Sequence, residues 1–243
     1  MLLTVDVGNT NTVLGIFDKE DLVKSWRVKT DPRTTADELW LQYSALISGY
    51  PLTGLSICST VPATLRELRT MIATYFSEIK TTIVEPGTKT GVQLLVDNPK
   101  EIGADRIVNT LAAHTLYGGP AIVVDFGTST NLDVVSPKGE FLGGALAPGI
   151  EISVDALAAR AAQLRKVELV RPKSVIGKNT VEALRNLKNV TQNNRKSSLI
   201  LWKRSARVLQ KHSRASSSRS GSAPAPRKRR CASLLIKFHH LLM

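Results

Sequence analysis

After Glu182 the chain contains no acidic residue, although 15 Lys and Arg lie between Arg185 and Met243. The whole protein has 33 basic and 20 acidic residues, so residues 1–184 hold 18 basic against 20 acidic ones. The formal charge of +13 therefore belongs to the tail, and the body is near neutral. A body built as a basic nucleic-acid surface is excluded. Cysteine is nearly absent: Cys58 and Cys231 lie far apart, with no CxxC pair and no His/Cys cluster. That excludes a disulfide framework or a structural zinc site and fits a reducing cytoplasm. No apolar run approaches about 18 residues, so no membrane-spanning helix is expected. The N-terminus enters a strand with no basic region before it, so no signal peptide is expected either.

Two short turns carry the most chemical information. One is Leu3-Thr4-Val5-Asp6-Val7-Gly8-Asn9-Thr10-Asn11-Thr12, and the other is Ile122-Val123-Val124-Asp125-Phe126-Gly127-Thr128-Ser129-Thr130-Asn131. Each reads as an apolar strand, an aspartate at its end, a glycine, small hydroxyl or amide residues, and a second strand. Glycine permits a tight turn with φ > 0, in which amide N–H groups can approach an anion. The hydroxyls add donors, and the aspartate can hold a cation beside that anion. One such turn would read as an ordinary hairpin. Two, about a domain's length apart, point to a duplicated nucleotide-binding fold.

The elements between them repeat. Strand-like runs cover about 1–7, 12–18 and 22–30, followed by a helix opening at Thr34–Glu38 with Leu39, Trp40, Tyr43, Leu46 and Ile47 at helical spacing. Gly54–Thr60 reads as a strand, Pro62 opens a helix to about Phe76, and Thr81–Val84 is a strand. A helix is predicted from about Glu101 to Tyr117. Val5, Val7, Leu14, Ile16, Leu39, Ile57 and Ile107 are the predicted core. After Gly118-Gly119-Pro120 the pattern restarts, with strands near 121–127, 130–136 and 140–146 and a helix at about 151–164. A strand-like Val167–Val170 and a helix start at Asn179–Leu184 follow, and there the repetition stops. The reading is a first domain at 1–117, the start of a second at 118–184, and a basic, mostly disordered tail at 185–243. Within the tail, Leu199–His212 has a short amphipathic period, Ser213–Ala225 is of low complexity, and Leu234–Met243 is a small apolar patch.

Five stretches in order resemble the type III pantothenate kinases of the acetate-kinase, sugar-kinase, Hsp70 and actin superfamily. They are Asp6–Thr12, Asn98–Arg106, Asp125–Thr130, Gly143–Gly149 and Ile176–Thr180, and the resemblance covers roughly 1–184. It implies an α/β fold of duplicated ribonuclease-H-like (actin-like ATPase) domains, the second copy incomplete. It further implies phosphorylation of pantothenate by ATP at the start of coenzyme A synthesis, with Mg²⁺, a monovalent cation (K⁺ or NH₄⁺), and a cytoplasmic homodimer.

The same resemblance suggests roles for single residues. Gly8, Asn9, Thr10, Asn11, Thr12 and Thr128 would face the ATP phosphates, with Asp6 holding Mg²⁺ through water. Asp125 would contact the monovalent cation. Asp105 would be the general base for the primary hydroxyl of pantothenate, although an aspartate in a first helical turn can equally be a dipole partner. Gly103, Ala104 and Arg106 would line the substrate, Arg106 pairing with its carboxylate or amide oxygens. Thr180 matches a residue that touches pantothenate from the partner subunit. Beyond Leu184 the chain lacks the Gly-Gly strand end that holds adenosine in relatives, a break of the kind a change of reading frame produces. Impaired turnover is therefore expected. The alternative is a non-catalytic nucleotide-binding or regulatory relative. Nucleic-acid binding by the tail ranks below both.

Overall fold

Leu2–Val7 (β1) is a central strand, and all six of its residues are buried. Burial on both faces suits its nearly continuous apolar run. It pairs antiparallel with Asn11–Asp18 (β2), which pairs with Asp21–Lys29 (β3). On its other side β1 pairs parallel with Gly54–Ser59 (β4), which pairs with Thr81–Val84 (β5). The sheet order is β3-β2-β1-β4-β5. The outer strand β3 carries Lys24, Arg27 and Lys29, charges that guard an exposed edge. This computed structural model describes residues 1–19, 21–160, 170, 174, 176–192 and 233–238.

Two helices close this sheet. Ala36–Ile47 (α1) starts with a capping box: the Glu38 N–H donates to the Thr35 hydroxyl, and the Thr35 N–H donates to the Glu38 carboxylate. Pro62–Tyr75 (α2) has its proline in the first turn, where no N–H is needed. One core joins them, with Leu3, Val5, Val7, Leu14, Ile16, Leu39, Tyr43, Ile57, Leu68 and Met71 all buried.

The third helix differs from its prediction. Pro99–Glu101 forms only a 3₁₀ turn, capped by Asn98 accepting the Lys100 N–H, and α3 proper is Ala104–Tyr117. It ends at Gly118, whose φ of 77° favours glycine. One side of α3 meets Cys58 and Val84 of the first sheet through Ala104, Val108 and Leu111. Farther along, Ala112 and Ala113 pack on Ala121, Val123 and Val135 of the second sheet. Ile107 is buried as predicted, but against Ile102 and Phe141, outside the main core of the first sheet. The helix is thus a wedge between the two sheets.

The second sheet repeats the first. Ala121–Phe126 (β6), Ser129–Val135 (β7) and Phe141–Pro148 (β8) pair antiparallel in succession, and Ile150–Arg160 (α4) follows. The order β8-β7-β6 matches β3-β2-β1 of the first sheet. This is the duplicated ribonuclease-H-like, actin-like α/β arrangement. Among the described residues the second copy has four strands where the first has five.

Two findings alter the reading of the tail. Thr180–Gln192 (α5) runs through the boundary placed at 184/185. Ser233–Phe238 (β9) pairs parallel with β6, in the position β4 holds beside β1. Its sequence, Ser-Leu-Leu-Ile-Lys-Phe, is strand-like once an open apolar edge is offered to it. The strand expected at Val167–Val170 and the helix expected at Leu199–His212 lie outside the described residues, apart from Val170 itself.

Candidate active site

Asp6 and Asp125 occupy equivalent places, each near the end of the first strand of its sheet and each buried. The Cys58 thiol, opposite Asp6 on β4, donates to Asp6 Oδ1 at 3.6 Å. Asn109 of α3 donates from Nδ2 to Asp125 Oδ2 at 3.3 Å. Both turns close by a glycine amide, Gly8 N–H to Asn11 O at 3.0 Å and Gly127 N–H to Ser129 O at 2.8 Å. The expectation of a positive φ is corrected: neither Gly8 nor Gly127 has one. The first loop has four residues between the paired Val7 and Thr12, a length that a type I turn satisfies without the left-handed region.

The two turns and the start of α3 surround one cleft. Its walls are Asp6, Val7, Gly8, Asn9 and Thr60 on one side and Asp125, Gly127, Thr128, Ser129 and Asn131 on the other, with Asp105 also facing it. Sequence reading missed Thr60, Ser129 and Asn131. Thr60 follows β4, and only the parallel pairing of β4 with β1 brings it beside the first turn. Ser129 and Asn131 were visible as part of the second turn; the Ser129 hydroxyl donates to Asn131 Oδ1 at 2.7 Å.

Other expected residues sit elsewhere. Thr12 is buried beneath the turn, its hydroxyl 2.9 Å from that of Thr30, so it braces the hairpin and does not line the cleft. Thr10 and Asn11 are not on the cleft wall, nor are Gly103, Ala104 and Arg106. Thr180 is exposed at the start of α5, away from the cleft of its own chain.

Gly103 caps α3 and leaves room for the carboxylate of Asp105, since a Cβ there would stand 2.5 Å from Asp105 Oδ1. The next residue, Arg106, turns toward β7. Its Nε donates to Asp133 Oδ1 at 2.8 Å, its Nη2 forms an ion pair with the same oxygen at 2.7 Å, and its guanidinium lies 4.9 Å from the Phe141 ring centroid. Asp133 is fully buried, and its carboxyl is pushed up to about 6. Burial is the largest cause; Arg106 opposes it, while Asp105 and Asp125 add to it.

Three carboxylates line the cleft without a lysine or arginine among them. A polyphosphate could not enter such a site without a cation to offset the repulsion. Among the described residues no group of three His, Cys, Asp or Glu side chains could cage a metal alone. The donor set fits Mg²⁺, which keeps waters and is held by one or two carboxylates together with substrate phosphates.

The family profile described as type III pantothenate kinase matches residues 2–186. The chain belongs to the type III pantothenate kinase family. Proteins of that name from Frankia alni and Salinispora arenicola are 71% and 67% identical to it over 186 residues, spanning 76% of this chain and 74% of each relative. Members of the family are phosphotransferases, and the acidic two-turn cleft lies wholly within the matched residues. A solved Campylobacter jejuni structure, assigned to the Baf family of transcriptional activators, covers 87% of this chain with a TM-score of 0.50. At 16% identity, that likeness shows the fold alone. Among the described residues no helix is long and apolar enough to cross a membrane.

Proposed function

We propose that the chain transfers the γ-phosphoryl group of ATP to the primary hydroxyl of pantothenate, giving 4′-phosphopantothenate for coenzyme A synthesis. The observation that carries this reading is the convergence of Asp6, Asp105 and Asp125 on one cleft between two matching turns. Phosphoryl transfer asks a protein chiefly for alignment, charge neutralisation and a proton acceptor. The first turn, through Asn9 and its neighbours, and Thr128 of the second supply donors to the phosphates. Asp6 would hold Mg²⁺ through water, and the bound ion would supply positive charge to offset the negative charge of the phosphates. Asp125, steadied by Asn109, holds the monovalent cation. Asp105 stands at the cleft with Gly103 making room for it, and accepts the proton of the attacking hydroxyl. Arg106, beside that cleft, takes the carboxylate or amide oxygens of pantothenate.

The reading extends to a cytoplasmic homodimer in which Thr180 reaches the partner subunit's cleft. It also includes low turnover by residues 1–243. The match to relatives stops near 186, and the resemblance places their adenosine contacts in the unmatched last quarter. Base and ribose contacts would then be weak while phosphate contacts remain. The test is ATP-dependent conversion of labelled pantothenate by purified residues 1–243, with and without Mg²⁺ and K⁺. Conversion well below that of the Frankia alni relative is expected. Absence of any pantothenate or ATP binding would sink the kinase reading, and equal turnover would sink the impairment.

A further inference from the structure

We infer that Asp133 is a positioning residue for substrate recognition, holding the Arg106 guanidinium in place from behind; this rests on the function proposed above. Asp133 lies mid-strand on β7 with no exposed surface, while the Arg106 side chain keeps 15% of its own. A single carboxylate oxygen, Oδ1, takes both contacts, the Nε–H hydrogen bond and the Nη2 ion pair. Among the described residues no hydrogen bond engages Nη1. The buried Oδ2 likewise has no hydrogen-bond partner among the described residues. A pair serving stability alone would use both oxygens against the arginine fork, which is the stronger geometry. Replacing such a buried pair by apolar residues is often neutral or stabilising, so its presence calls for another purpose.

The surroundings are shaped to the same end. Phe141 lies under the guanidinium, and the backbone of β8 passes close by at Gly144. A Cβ on Gly144 would stand 1.9 Å from the Leu132 carbonyl oxygen and 3.1 Å from Arg106 Nη2. Three elements therefore fix one cation: α3 supplies it, β7 anchors it and β8 leaves it room. The anchor also settles a competition. Arg106 is next in sequence to Asp105, and a guanidinium released from Asp133 would be drawn to that carboxylate. Pairing there would neutralise the proposed base and withdraw the donor meant for the substrate. Asp133 keeps the two functions apart.

The experiment uses full-length 1–243 protein as wild type, Asp133→Asn, Arg106→Gln and the double variant, the last having no unpaired buried charge. Arginine Nε–H signals are followed by ¹⁵N NMR, and pantothenate and Mg-ATP affinities by calorimetry, with thermal unfolding confirming a folded state. In wild type the Arg106 Nε–H should exchange slowly, and Asp133→Asn should abolish that protection. Asp133→Asn and Arg106→Gln should each weaken pantothenate binding at least tenfold, the double variant no further than Arg106→Gln, and Mg-ATP affinity should change less than twofold. Unchanged pantothenate affinity in Asp133→Asn, with the Nε–H protection gone, overturns the positioning role. Additive losses in the double variant overturn it too, by showing that Asp133 does not act through Arg106. A wild-type chain with a protected Nε–H that binds no pantothenate overturns the proposed function and this inference with it, and is told apart because wild type itself is silent.

Discussion

Asn109 Nδ2 donates to Asp125 Oδ2 at 3.3 Å, so the helix that carries Asp105 in its first turn also steadies the second aspartate turn. Both ends of the proposed reaction, the base and the cation-holding carboxylate, are thereby tied to one rigid element. Asn109→Ala removes a hydrogen bond to a buried charged group, which is worth about 1.5–3 kcal/mol. Urea unfolding should show a midpoint shift of that size with an unchanged slope. A shift below about 0.5 kcal/mol would mean the bond carries little of the seam.

Asp105→Asn keeps the size of the side chain but removes the proton acceptor. Turnover should fall by about 10²–10⁴-fold, the range general-base catalysis supplies, while Mg-ATP affinity stays the same. The measurement is single-turnover phosphorylation alongside nucleotide titration, in this chain or in the Frankia alni relative. A raised KM with normal turnover would make Asp105 a binding or helix-end residue.

The raised Asp133 carboxyl gives stability a defined pH dependence. Its folded value of about 6 exceeds the ordinary 3.8, so the native state holds the proton more tightly than the unfolded chain. The contribution of this group is fully present below about pH 4 and is lost as pH rises through about 6. Two units of displacement correspond to roughly 3 kcal/mol at most. Asp133→Asn, which cannot titrate, should remove that slope between pH 4 and 6.5 in a series of urea midpoints. A variant with the same slope as wild type would assign the titration to another group.

Strand β9 covers an edge of β6 that would otherwise present unpaired backbone groups beside an apolar sequence. Deleting residues 231–243 should promote aggregation and lower Tm by at least about 3 °C, the shift that ~1 kcal/mol gives in a chain of this size. Light scattering during a thermal ramp reads both effects. Coincident curves for the two chains would show that β6 does not depend on that strand.

Element type and order in the first sheet were legible because its strands are apolar runs bounded by turn residues. Asp6, Asp105 and Asp125 were also legible, each at the junction of a strand or helix with small residues. Thr60 was not, because nothing local marks it; a parallel neighbour brings it to the first turn. Ile107 shows a similar limit: its helical stripe predicted burial but not that Phe141, from the second sheet, would cover it.

Sequence alone determined the duplicated plan, since period, capping and turn chemistry are local properties repeated along the chain. Tertiary structure decided which donors face the cleft. Thr12 was an expected phosphate ligand, yet burial turns its hydroxyl to Thr30. Arg106 was legible as a candidate substrate contact, but only the fold shows that a carboxylate 27 residues away holds it. Asp133 drew no attention as one acid in an alternating strand, because its importance comes from what the fold removes, namely water. Likewise, an apolar segment in a basic tail becomes a strand only where the second sheet offers an open parallel edge. Pairing across long separations and the desolvation of charge depend on the packed whole, and no window of sequence contains them.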